Sequence, residues 1–252
     1  MIQQLQSVLA DIIQPFAGNR EEELLETYTR FIELLRQRTR EANITGIRDP
    51  NDLAVHVIGD ALTPLVNGPH DYLETPPTEL LDVGSGAGIP GIVYAILWPE
   101  ANVVLLESQK KRIDFLNDTK DELGMKNVEV LEGRAESHAH ELLWRERFDL
   151  VTSRALAPLP IALELCLPFL ALDGHFLTFK GNNKDKEVDR EVKEADFALN
   201  KLGGGGIEMH SYIAGPGAPK RHALWSKKTG LTPDRFPRKE GIPAKRPLRG
   251  SR

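Results

Sequence analysis

Apolar residues recur along the chain in two rhythms, and the change between them falls near residue 79. Before it the spacing is helical. Ile2 to Gln14 repeats at three and four residues and is expected to stop near Pro15. A second helix over about 20–40 gathers Leu24, Leu25, Tyr28, Phe31, Ile32 and Leu35 on one face. Its acids, Glu21 to Glu23, lie at the start and its bases, Arg36 and Arg38, toward the end, as the helix dipole favours. After a turn-rich connector, Asn43 to Arg48, Asp49-Pro50 reads as an N-cap with proline at the first helical position. The helix it opens, to about Val66, turns Leu53, Val57, Ile58, Leu62 and Leu65 inward. Residues 1–78 thus read as a helical cap, with the proline-rich stretch 67–78 as a linker.

From Glu79 short apolar runs alternate with amphipathic ones. Strands are expected at 80–83, 102–107, 128–131, 148–152 and 174–179, with helices at 89–97, 110–123, 136–144, 161–170 and 184–202. Two final strands, 207–213 and 221–226, are joined by a Gly/Pro-rich turn with no room for a helix. Five βα units predict an α/β, Rossmann-like, doubly wound sheet. The terminal hairpin brings it to seven strands, mostly parallel with one antiparallel. That arrangement is the one methyltransferases have, whereas dinucleotide domains usually repeat parallel units. The domain spans 79–228, leaving 229–252 as a C-terminal tail.

The first βα junction is the main chemical signal. Leu80 to Val83 runs into Gly84-Ser85-Gly86-Ala87-Gly88-Ile89-Pro90-Gly91, and glycines there let a ligand approach backbone without meeting a Cβ. Two patterns overlap: Gly84-x-Gly86-x-Gly88 looks like an adenosyl-methionine loop, and Gly86-x-Gly88-x-x-Gly91 matches the dinucleotide fingerprint. Glu107, ending the second strand, is placed to accept both hydroxyls of a ribose in either case. Adenine would rest at Glu132-Gly133-Arg134-Ala135-Glu136, where Ala135 offers a backbone N–H and a small side chain. Ser153-Arg154-Ala155, after the fourth strand, lies where such folds put substrate.

Charge separates the ends of the chain. Residues 218–252 hold eleven Lys and Arg against Asp234 and Glu240, a net of +9; the whole chain is at −5, so the other 217 residues sum to −14. A basic tail on an acidic body fits either a polyanionic partner or a solvated, unstructured segment. With 40% hydrophobic and 27% charged residues, the chain is neither disordered nor fibrous in type. A single cysteine, Cys166 in an apolar helix, excludes an intrachain disulfide and fits a reducing cytoplasm. No apolar run reaches a membrane span, and the seven histidines show no metal spacing. No Asn/Asp-Pro-Pro-aromatic element for amine methylation follows the fourth strand. Tyr72, Tyr212 and Phe236 look exposed.

Several segments together resemble the RsmG (GidB) family of bacterial methyltransferases acting on guanine N7 of 16S rRNA. They are 43–50, His56 to Ala61, Leu81 to Gly91, Glu107 to Arg112, Ser153 to Ala155, Lys180-Gly181 and Pro237 to Pro247. The resemblance covers about 24–248; Gly59, where relatives often have a larger residue, departs from it. It implies a class I methyltransferase fold and S-adenosyl-L-methionine contacts at Gly84, Ile89, Ala135, Glu136 and Arg154, to which the loop adds Gly86, Gly88 and Glu107. Guanine N7 has a lone pair and no proton, so the implied in-line displacement needs no general base, and Arg154 and Lys180 are expected to position. Arg154 near a sulfonium requires a carboxylate such as Glu136 or Asp82 beside it. Arg48, Arg112, Arg221, Lys239, Lys245 and Arg246 are the candidates for holding 16S rRNA or the small ribosomal subunit, with no metal, no membrane and a monomer expected. The alternatives are a methyltransferase for a non-RNA substrate and a non-catalytic nucleotide-binding module.

Overall fold

The computed structural model describes residues 2–42, 44–181 and 185–250. Asn43 of the connector, Lys184 at the expected start of the charged helix and the Ser251-Arg252 end of the tail lie outside the described residues. The N-terminal region forms α1 (Ile2–Ala17), α2 (Glu21–Ala42), α3 (Pro50–Leu53), a π-helical segment (Ala54–Gly59) and α4 (Asp60–Val66). Helix α1 runs through Pro15 instead of stopping there, because Ile13 and Ala17, on either side, are both buried and hold the last turn against the core. The Asp49 carboxylate caps α3 by accepting from Asn51 N at 2.9 Å and Asp52 N at 3.1 Å.

One regular helix to Val66 was the expectation; the π turn interrupts it. Such insertions re-aim the side chains that follow them, often at functional sites. Gly59 ends the π turn because a Cβ there would collide with the carbonyl of Ala214. The departure at Gly59 therefore has a steric reason in this chain.

The remaining elements are β1 (Glu79–Val83), α5 (Gly91–Leu97), β2 (Asn102–Glu107), α6 (Lys110–Glu122), β3 (Val128–Glu132), α7 (Ala135–His138) and β4 (Phe148–Arg154). They continue with α8 (Leu159–Cys166), β5 (Leu170–Lys180), α9 (Asp185–Leu202), β6 (Gly204–Ile213), β7 (Lys220–Lys228) and α10 (Ile242–Lys245). The sheet has the order β3-β2-β1-β4-β5-β7-β6. All neighbours are parallel except those of β7, which slots antiparallel between β5 and β6. This is the Rossmann-like methyltransferase architecture. Helix α7 is a single turn rather than the expected 136–144, and α8 gives way to a 3-10 turn at Leu167–Phe169, where Pro168 denies it a further N–H.

Period-two alternation sends successive strand residues to opposite faces. Leu80, Val103, Leu105, Leu150, Leu177 and Trp225 join the core under α1–α6, while Leu81, Val104, Leu106, Val151, Phe176 and Leu224 join the one under α8 and α9. The N-terminal helices are thus built into a sheet face. Tyr28 Oη donates to Val93 O at 3.0 Å and Tyr94 Oη to Ala61 O at 2.8 Å, both buried. Tyr72, Tyr212 and Phe236, expected at the surface, are all buried: the apolar bodies of the rings are in the core.

Residues 229–250 fold back on the domain. Phe236 and Pro243 are buried, and Arg145 holds the segment by donating to Thr232 O and Phe236 O. Arg238 meets the fully buried carboxylate of Glu164 on α8 at 2.6 and 2.8 Å. The solvated-segment alternative does not describe these residues. Removing one partner of a buried pair leaves a charge stranded out of water. Arg238→Ala is therefore expected to lower unfolding free energy by about 3 kcal/mol, measured by urea denaturation, while Lys239→Ala, on an exposed neighbour, leaves it within about 0.5 kcal/mol.

Candidate functional site

At the carboxyl ends of β1, β2 and β4, beside the point where the strand order reverses, lies a cleft of about 510 Å³. Its floor is the glycine loop. Gly84 N and Ser85 N both donate to Leu106 O, at 2.8 and 3.2 Å, so the loop leaving β1 is held against the end of β2. Gly84, Gly86 and Gly88 have φ of +72°, +58° and +75°, a region that L-residues rarely occupy. Their jobs differ. A Cβ on Gly88 would strike Ile92, and one on Gly91 would strike Leu105, so these two pack loop and helix onto the strands. Gly84 and Gly86 line the cleft. Gly88 does not.

Two buried carboxylates pin the loop. Asp82 accepts from Gly91 N at 3.1 Å and from Thr152 Oγ1 at 2.9 Å, and burial pushes its pKa up to about 6. Glu107, only 4% exposed, accepts from Gly86 N at 2.9 Å through Oε2 and from Ser108 N and Gln109 N through Oε1. With three of roughly four acceptor directions used, Glu107 keeps one for a ligand hydroxyl rather than capacity for a free bidentate grip. Arg112 Nη1 stands 3.8 Å from it.

Of the residues expected to meet the cofactor, Gly84, Gly86, Ile89, Glu107 and Arg154 line the cleft together. Ala135 and Glu136 do not. Ala135 is buried at the start of α7, and Glu136 Oε1 accepts from Gly241 N of the tail at 3.1 Å. Their neighbour Arg134 lines the cleft instead and pairs with Glu240 at 3.2 Å. The partner of Arg154 is neither Glu136 nor Asp82, both engaged elsewhere, but Asp60 of α4, at 2.9 Å. Lys180 is outside the cleft, held by Glu191 at 2.7 Å. Among the basic candidates, Arg112 lines the cleft, Arg48, Lys239, Lys245 and Arg246 are exposed, and Arg221 is drawn inward onto Asp60 at 3.2 Å. Ala155, at the lip, has φ +52°, a strained value of the kind that collects at functional sites.

Sequence reasoning missed His56, Asp60, Thr45 and Leu156. The first two had a signal: an acid four residues after a histidine, on a helix whose other inward positions are apolar. Arg154 Nη1 and His56 Nδ1 are buried without hydrogen-bond partners, and both residues line the cleft. The Arg154 N–H calls for an acceptor, and the His56 ring nitrogen for a donor or acceptor according to its tautomer, that arrives with a ligand. The cleft, its single free direction on Glu107 and these polar atoms fit an adenosyl amino-acid ligand. Among the described residues no group of three or more His, Cys, Asp or Glu is placed to hold a metal, and no helix is long and apolar enough to cross a membrane.

Comparison with known proteins agrees with the geometry. A family described as "GidB: rRNA small subunit methyltransferase G" matches residues 24–203. A protein of Brevibacillus brevis named ribosomal RNA small subunit methyltransferase G is 35% identical over 88% of this chain and 90% of its own length. Its namesake from Desulforamulus reducens is 38% identical over 88% and 89%. In fold, the crystal structure of a methyltransferase from Geobacter sulfurreducens overlays with a TM-score of 0.51 at 13% identity, over 80% of this chain and 89% of that one. The chain belongs to the rRNA small subunit methyltransferase G family.

Proposed function

We propose that this chain transfers a methyl group from S-adenosyl-L-methionine to N7 of a guanine in 16S rRNA. The observation that supports it most directly is the cleft itself, with Glu107 clasping the glycine loop on one side and Arg154 on the other. The adenosine end is read toward Glu107 and Arg134, and Gly84 and Gly86 admit the ligand against bare backbone. When bound, the cofactor supplies an electrophilic methyl group on a sulfonium. Guanine N7 presents its lone pair without a proton to remove, so the residues around it have only to align it and exclude water. The ion pair with Asp60 balances Arg154's charge near a developing positive purine.

Exposed Arg48, Lys239, Lys245 and Arg246, with Arg112 at the cleft, are the RNA-facing cations of this reading, acting on phosphates. Lys180, tied to Glu191, serves the end of β5 rather than the guanine. Arg221 is withdrawn from the RNA set.

A strain of the source organism lacking the gene should have lost one 7-methylguanine from its 16S rRNA, mapped by mass spectrometry, and regained it on complementation; an unchanged map overturns the proposal. Gly84→Val forces a branched side chain into a left-handed conformation, costing roughly 1–3 kcal/mol, and fills the cleft floor. Calorimetry should then detect no adenosyl-methionine binding by a variant that is still folded. Replacing Lys239, Lys245 and Arg246 together by alanine should leave cofactor affinity alone. It should also make the salt dependence of RNA binding shallower, lowering the slope of log K against log salt by roughly 2.

A further inference from the structure

The cleft has two unlike walls. The residues read above as gripping the cofactor, Gly84, Gly86, Glu107 and Arg154, belong to the loop and strand ends of the sheet. The other wall comes from the N-terminal region, where Ile44, Thr45, Ile47, His56 and Val57 line the cleft, with Leu156 at the lip after β4. Most of these side chains are aliphatic. A flat, uncharged purine taken out of an RNA stack needs apolar surface of this kind for its faces. A ribose or a charged amino-acid end would be desolvated there without partners.

Two polar groups interrupt the apolar wall. Thr45 Oγ1 already accepts from Ile47 N at 3.3 Å. His56 is less committed: its ring lines the cleft, and its Nδ1 is buried with no hydrogen-bond partner. The residue sits inside the π turn Ala54–Gly59, which is locked where Gly59 abuts the carbonyl of Ala214. An unpaired buried polar atom on a side chain placed in this way marks a missing partner.

The chemistry of the base names that partner. Guanine and adenine both present a lone pair at N7, so reactivity there does not choose between them. They differ in the next group on the same edge, which is O6, an acceptor, in guanine and the N6 amine, a donor, in adenine. A donor beside the N7 site is paired by guanine and left facing another donor by adenine. We infer that His56, donating from Nδ1–H to O6, selects guanine at the reacting position, while the aliphatic side chains around it hold the faces of the base. The same hydrogen bond aligns the edge that carries N7. It requires the imidazole tautomer protonated at Nδ1. The inference rests on the guanine-N7 reading above.

The test crosses two bases with one side chain. Small ribosomal subunits are reconstituted with 16S rRNA carrying guanine or 2,6-diaminopurine at the methylated position; the second base keeps N7 and replaces O6 by an amine. The ratio kcat/KM for methyl transfer is measured on three full-length proteins. They are the wild type, His56→Phe, which keeps a flat ring without nitrogens, and His56→Asn, which offers an amide N–H in place of Nδ1–H. The wild type should prefer guanine at least about tenfold, and His56→Phe should bring the two bases within about twofold by losing guanine. His56→Asn should restore most of the preference. Affinity for S-adenosylhomocysteine, measured by calorimetry, should stay within about twofold in both variants. A loss that falls equally on both bases would mean that His56 only shapes the wall. An unchanged preference, or none in the wild type, would mean that His56 does not read O6. Weaker S-adenosylhomocysteine binding with the base preference intact would put His56 at the cofactor instead. Each of these overturns the inference. Should His56→Phe fail to fold by circular dichroism, His56→Ala takes its place with the same expectations. A wild type that methylates no guanine in unmodified subunits would instead overturn the proposed reaction itself, and this role with it.

Discussion

The geometry of the cleft depends on where the buried carboxylate of Asp82 sits. A charged group at the end of a central strand is expensive to desolvate, and the chain offsets that cost by giving it two donors from different elements, Gly91 N on α5 and Thr152 Oγ1 on β4. The glycine loop is therefore fixed at its exit, while Glu107 fixes its middle through Gly86. Loop glycines are free to adopt left-handed conformations, but that freedom is useful only if something else removes the alternatives. Here two strand-end acids do so, one beneath the loop and one beside it. Glu107 gives up most of its acceptor capacity in the process, and it is as much a clamp on the protein as a hand for the ligand.

Around this fixed centre the rest of the molecule is arranged as walls. The N-terminal helices share the core of one sheet face and send His56 to the cleft and Asp60 to the cleft's Arg154. The tail packs on the opposite face and braces α7, with Gly241 on Glu136 and Glu240 on Arg134. Glu136 and Ala135, which the family resemblance puts at the cofactor, thus stand between the cleft residue Arg134 and the tail. A basic segment that reads from charge alone as an RNA arm is also a buttress.

The architecture was legible because it follows from local rules. Strand alternation, glycine placement and the missing helix before β7 are each written within a few residues, and together they determine the sheet and its reversal. So was the loop with Glu107, a spacing of residues along adjacent strands. What was not legible involved long-range choices among chemically equivalent partners. Arg154 needed a carboxylate, but nothing local distinguishes Asp60 from Glu136 or Asp82, and the selection is made by a π turn and a helix docking far away in sequence. Arg221 reads as one of many basic residues until the fold turns it inward. Tyr72, Tyr212 and Phe236 failed for a related reason: each follows a polar residue, Asp71, Ser211 or Arg235, and burial comes from elements that reach them from a distance.

The collision that keeps Gly59 free of a side chain has a kinetic meaning as well. It is one of several contacts between the helices near residue 60 and the terminal hairpin, and the Tyr212–Asp60 contact joins residues 152 apart. Closing so long a span costs entropy that no local helix or hairpin can return in advance. The local βα units can form first, but the wall holding Arg154 is finished only when β7 has inserted and the helices have docked on it. The cleft is lined by residues between Ile44 and Leu156, yet the carboxylate that holds its Arg154 is fully engaged only once Arg221 on β7 has reached it, so the last strand to insert completes a wall to which it contributes no lining residue.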